Sequence, residues 1–223
     1  MLKRTQQFVD YCRRELDFGS QVSNEYQSLS VCIIDCVYSL RAKYYNTTVP
    51  VVDRYAKKYM NGDKRAVGDN TSDLIRHIQD AGGPDFFASD ILKNNQKSGN
   101  VLKADVCLKL AQYLQILQIE TIDDFRKFQA PELLETVIRS VKGIGDAGAN
   151  YMFMLAGDPD RCKPDVHVHH CIRDACGEDI SNDDCQRLFT EAVCELRKDY
   201  PELTVAKLDG IIWQKYQGIK RKS

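Results

Sequence analysis

The chain has 223 residues, 43% of them apolar and 28% charged, with a formal net charge of -1. That length is enough for one large domain or two interleaved lobes with a real core. The near-zero charge argues against a uniformly basic coat for nucleic acid, and no apolar run approaches the roughly 20 residues that span a bilayer.

The first 18 residues carry basic groups but no apolar core and no small-residue cleavage site. A signal peptide is therefore not expected, and a cytoplasmic or otherwise intracellular location is. Nine cysteines, an odd number in a chain too long for a disulfide scaffold, are expected as reduced thiols.

In chain order the sequence reads as helix after helix, with apolar residues at helical spacing and short Gly, Asn, Asp and Pro loops between them. Residues 3–17 place Phe8, Val9, Cys12 and Leu16 on one side. Residues 27–41 hold Leu29, Val31, Cys32, Ile33, Ile34, Val37, Tyr38 and Leu40, a density that predicts a buried central helix. A helix over 47–59 takes Pro50 in its first turn, with Val51, Val52, Tyr55 and Tyr59 following. A helix over 72–81 starts at a Ser/Thr cap and stops at Gly82-Gly83-Pro84.

A short helix over 84–93 precedes a polar loop over 94–100. The helix over 102–117 has Val106, Leu110, Tyr113, Leu114 and Leu117 in register, and another short one begins at Thr121. Residues 131–141 and 147–156 flank Gly143-Ile144-Gly145, and helices over 168–175, 183–198 and 205–216 follow. No strand alternation and no internal repeat appears, so the predicted fold class is all-α.

Two amphipathic helices joined by Gly-Ile-Gly predict a tight helical hairpin. Gly143 and Gly145 permit backbone conformations and close approaches that a side chain blocks. Ile144 between them turns back into the hairpin core. The N–H groups at the hairpin and the start of the second helix, with the Gly143, Gly145 and Ala147 amides as backbone-binding candidates, attract an anion. Lys142 stands beside them as a phosphate contact. A plain helix turn reads the same way in isolation. Downstream, Asp165 lies in the run Lys163-Pro164-Asp165-Val166-His167, where one reading is an N-cap for the helix that follows.

The segment Val141-Lys142-Gly143-Ile144-Gly145-Asp146-Ala147-Gly148-Ala149-Asn150, followed by Lys163-Pro164-Asp165-Val166-His167-Val168, resembles the helix-hairpin-helix DNA glycosylase superfamily. Its members include endonuclease III-like, adenine-mismatch, alkylpurine and oxoguanine glycosylases. The shared pattern is an apolar-x-Gly-apolar-Gly hairpin, then an Asp in a Val/Pro-Asp-x-His setting. Residues 30–41 resemble the buried first helix of the family's helical barrel. Residues 101–104 resemble its Lys-Ala helix start. Residues 203–216, with Asp209 and Trp213, resemble a C-terminal helix of some members.

The resemblance implies two helical lobes with a cleft between them. A six-helix-barrel-like lobe over 29–155 contains the helix-hairpin-helix. A second lobe, 1–28 plus 156–223, carries Asp165. It implies a monomer, with no membrane partner, that binds double-stranded DNA, flips a base and hydrolyses the N-glycosidic bond. Asp165 is then the catalytic group, stabilising an oxocarbenium-like sugar and orienting water. No cofactor is implied beyond a monovalent cation at the hairpin.

Departures from the family pattern narrow the chemistry. The lysine that many members carry in Gly-x-Gly-x-Lys falls at Ala147, so the Schiff-base nucleophile is missing and a monofunctional glycosylase without efficient lyase activity is expected. Lys142 and Lys163 are the nearest other amines. Cys162, Cys171, Cys176, Cys185 and Cys194 do not have the spacing of the family's iron–sulfur cluster. His167 and Cys171 share a helical face, yet no recognised metal pattern accompanies them, and no metal is expected.

The base pocket and wedge are implied around the end of the first buried helix, with Asp35, Tyr38, Arg41, Tyr44, Tyr45 and Asn46 as candidates. The family's Gln is absent, and Arg41 falls near its place. Asp35 reads either as an acid that meets the base with a raised pKa, or as a hydrogen-bonded structural group. Three basic clusters read either as solvated faces or as parts of a DNA grip: Arg54, Lys57, Lys58, Lys64 and Arg65; Arg139 and Lys142; Lys215, Lys220, Arg221 and Lys222. A non-catalytic DNA-binding or damage-sensing module on the same scaffold is the main rival reading. An unrelated helical protein-interaction domain is the second.

Overall fold

The structure, a computed structural model, describes residues 3–19 and 26–217. Lys220, Arg221 and Lys222 of the C-terminal basic cluster lie outside the described residues. The fold is all-α. Its helices are α1 (Lys3–Glu15), α2 (Leu29–Ser39), α3 (Tyr44–Tyr59), α4 (Thr71–Asp80), α5 (Pro84–Phe86), α6 (Lys103–Ile116), α7 (Ile122–Lys127), α8 (Pro131–Ser140), α9 (Asp146–Leu155), α10 (Val166–Cys176), α11 (Asn182–Leu196) and α12 (Val205–Tyr216). The only strands among the described residues are β1 (Lys97–Ser98), in the stretch expected as a polar loop, and β2 (Val101–Leu102), which takes in the residue expected to open the next helix; the two pair antiparallel.

The chain divides into two compact units, one formed by Glu25–Gly157 and the other by Met1–Asn24 with Asp158–Ser223. The first holds α2 to α9. At its centre is α2, every residue of which is buried, as a helix apolar all round requires. Ser28 caps it, accepting the Val31 N–H. Against it pack α3, α4, α6 and α9. The second unit holds α1, α10, α11 and α12, with Phe8, Cys12, Ile172, Phe189, Leu208 and Ile212 in its core.

Three local details differ from the sequence-based expectation. Helix α3 begins at Tyr44, so Pro50 lies inside it rather than in its first turn. The early start is anchored by the Lys43 carbonyl, which accepts the Thr47 N–H at 2.8 Å, and by a Tyr44 hydroxyl bond to Asp35. Proline at this position forgoes one helical hydrogen bond. Helix α4 is capped by Asn70 in a reciprocal capping box with Asp73, while Ser72 instead reaches Glu120. The expected helix over 84–93 breaks into α5 and a π-helical turn, Phe87–Ile91, in which Phe87 and Ala88 are buried.

Candidate functional site

In the unit Glu25–Gly157, α8 and α9 are joined by the Gly-Ile-Gly turn. Ile144 is buried and its N–H bonds the Val141 carbonyl at 2.9 Å, which returns the turn to the core. The two glycines serve different ends. Gly143 has φ of 108°, and a Cβ there would lie 3.1 Å from Val106 and 3.2 Å from Ser98. Its carbonyl also accepts the Ser98 hydroxyl at 2.7 Å, so the turn is docked on β1. Gly143 is therefore a requirement of folding.

Gly145 is ordinary extended backbone, with φ of -105°, and a Cβ there would meet nothing within 4 Å. Nothing inside the protein requires glycine at this position. What a side chain would cover is the N-terminus of α9, where no side-chain cap is made and the first N–H groups have no intrahelical acceptor. Ala147 lies in that first turn, half-buried. Arg139 bonds Asp146 at 2.6 Å and offsets the acidic residue that opens α9. Lys142 is exposed, on a shallow groove of about 280 Å³ shared with Val101, Asp105, Lys109 and Gln112.

The candidate pocket residues separate by depth. Asp35 has no exposed surface. Its carboxylate accepts hydroxyl bonds from Tyr26 at 2.7 Å, Tyr44 at 2.7 Å and Tyr151 at 3.0 Å. Burial, then the Asp35 charge, pushes all three phenols up, so they remain donors at physiological pH. Asp35 thus has the hydrogen-bonded structural form, tying α2 to α3 and α9. Tyr38 is equally buried, with its hydroxyl 3.4 Å from the Asn94 carbonyl and its ring beneath the Lys103 ammonium. Both are fully buried.

Arg41, Tyr45 and Asn46 are exposed, and Tyr44 is half-buried between the two layers. Arg41 has φ of 51°, a left-handed conformation uncommon for a side-chain-bearing residue. A residue with no motif of its own holds it there. Lys103, only 1% exposed, donates to the Tyr38 carbonyl at 3.0 Å, the Leu40 carbonyl at 2.8 Å and the Gln96 side chain at 3.1 Å. A buried ammonium surrounded by carbonyl oxygens clamps the end of α2 and fixes the bend that presents Arg41. Its only sequence signal was the position of Lys103 at a helix start.

In the other unit, Asp165 is the N-cap of α10. Oδ1 accepts the His167 N–H at 2.8 Å and the Val168 N–H at 3.3 Å. Among the described residues Oδ2 accepts no hydrogen bond, and the residue is only half-buried. Capping fixes one oxygen and leaves the other open. The His167 ring lies edge-on to Trp213 at 6.5 Å, and its Nδ1 is buried with no partner among the described residues. His169 bonds Asn182 at 3.0 Å.

Behind Asp165 stands Asp209 of α12, 7% exposed, whose Oδ1 accepts the Lys163 N–H at 2.9 Å. Burial, then the charge of Asp165, pushes its carboxyl up to about 8. Lys163 contributes its peptide to this cluster. All nine cysteines are free thiols, and no metal-binding group of three or more His, Cys, Asp or Glu side chains forms among the described residues. Nor is any helix there long and apolar enough to cross a membrane.

These features define an all-α protein of two helical units, one with an open helix N-terminus behind a glycine turn, the other with a half-open capping carboxylate. Residues 5–217 match the model of a domain of unknown function, DUF8548, and the chain belongs to that family. No curated protein and no solved structure matches it.

Proposed function

We propose that the protein is a monofunctional DNA glycosylase of helix-hairpin-helix type that excises a damaged, mismatched or modified base from double-stranded DNA. The observation that carries the reading is the state of Asp165. Its Oδ1 is held by two helix N–H groups while Oδ2 is uncommitted. A carboxylate fixed in this way is preorganised to face a sugar that becomes positively charged as its N-glycosidic bond breaks, and to orient the attacking water.

The grip on the backbone is assigned to the amides that open α9, with Gly145 kept bare so that a phosphate can approach, and to Lys142. Neutral Ala147 offers no amine for a Schiff base, which supports hydrolysis over strand cleavage. Recognition of the extruded base is assigned to the exposed residues Arg41, Tyr45 and Asn46, with Tyr44 oriented from below by Asp35.

Release of free base from duplexes carrying modified bases, read by mass spectrometry, tests the reading. Release that Asp165→Asn abolishes while duplex binding persists supports it. Duplex binding with no release from any substrate, unaltered by Asp165→Asn, turns the assignment to the non-catalytic DNA-sensing module.

A further inference from the structure

We propose that Asp209 is the positioning residue of the Asp165 turn and that it holds a proton at neutral pH. The inference rests on the reading of Asp165 as the catalytic carboxylate.

The geometry is a chain of three contacts. Asp209 Oδ1 takes the Lys163 N–H at 2.9 Å. The Lys163 carbonyl takes the Asp165 N–H at 2.6 Å. Asp165 Oδ1 takes the first free amides of α10. Asp209 therefore grips the peptide from which the Asp165 backbone hangs. It sits on α12, which packs against α10 and α11. It pairs with no Lys or Arg side chain among the described residues, and the groups that bear on it are the Asp165 carboxylate, Lys163 and the Cys162 thiol.

Two neighbouring carboxyl groups, one of them buried with a single peptide N–H, do not both ionise cheaply. The more exposed one, Asp165, has helix amides to support its charge. The enclosed one has a single amide, which favours its charged form but is outweighed by burial and by the charge of Asp165. The rise of Asp209 to about 8 is the direction this arrangement demands.

The sign of the linked stability follows. The folded state holds the proton more tightly than the unfolded chain, whose carboxyl titrates near about 4. Stability from this group is complete below that value and is lost progressively as pH rises toward about 8.

The test is a titration of isotope-labelled aspartate carboxyl carbons in the full chain, followed by NMR. The expected result is one aspartate with its midpoint near 8, absent from Asp209→Asn and moved to lower pH in Asp165→Asn, where the neighbouring charge is gone. No aspartate titrating above about pH 6 overturns the proposal, as does a midpoint that Asp165→Asn leaves in place. Should Asp209→Asn fail to fold, the wild-type titration and its response to Asp165→Asn decide alone. These readouts need no substrate. A chain with the alkaline carboxyl that releases no base keeps the proton on Asp209 and fails the glycosylase reading. A chain that releases base through Asp165 without that carboxyl fails this proposal only.

Discussion

Gly143 and Gly145, two positions apart, are asked for opposite things. At Gly143 an alanine must adopt a positive φ and push into Val106 and Ser98, so Gly143→Ala is expected to cost about 2 kcal/mol or more in denaturant unfolding. At Gly145 the space is open and the backbone ordinary, so Gly145→Ala should leave stability within about 0.5 kcal/mol and weaken duplex binding instead. A G145A variant that binds DNA as tightly as wild type removes the amides of α9 from the backbone grip. Arg41 gives the complementary case. A left-handed non-glycine residue stores about 1 kcal/mol or more, so Arg41→Gly is expected to keep or raise the melting temperature while activity on DNA falls. Equal losses of stability and function would make Arg41 a structural residue. The glycine pair was visible in the sequence, but the division of labour was not, because Val106 and Ser98 come from distant parts of the chain. Asp35 shows the same limit: its isolation in an apolar helix was legible, while Tyr26, Tyr44 and Tyr151 meet it only in the folded protein.

At the scale of elements, α2 was the most legible, since eleven residues apolar on nearly every face have no alternative to the interior. The neighbouring boundaries were less so. Asn70 rather than Ser72 caps α4 because Asp73 completes a capping box, and α3 starts ahead of Pro50 because Lys43 and Asp35 fix its first turn. The two-residue strands β1 and β2 lacked any alternation to announce them and exist through pairing and the Ser98 contact with Gly143. The end of α2 depends on Lys103. Replacing it by methionine fills the volume but leaves the Tyr38 and Leu40 carbonyls buried without a donor, and Lys103→Met is expected to destabilise by about 3 kcal/mol. A loss below about 1 kcal/mol would mean that the bend at Arg41 holds without the clamp.

For the whole molecule, the all-α class followed directly from periodicity, whereas the proposed function is argued from a handful of residues. A net charge of -1 means that any DNA affinity has to come from local basic groups and helix amides, not from the overall field. Duplex affinity is accordingly expected to fall with rising salt, with a shallow slope that reflects few phosphates; an affinity indifferent to salt would point away from the backbone. The central claim is that Asp165 breaks the bond between base and sugar. Single-turnover release of free base from the best modified duplex, wild type against Asp165→Asn with binding measured in parallel, tests it most directly. The account predicts a loss of at least a hundredfold in rate with binding retained, the scale of a general acid–base or electrostatic contribution. Equal rates in the two proteins, with base released, would contradict it.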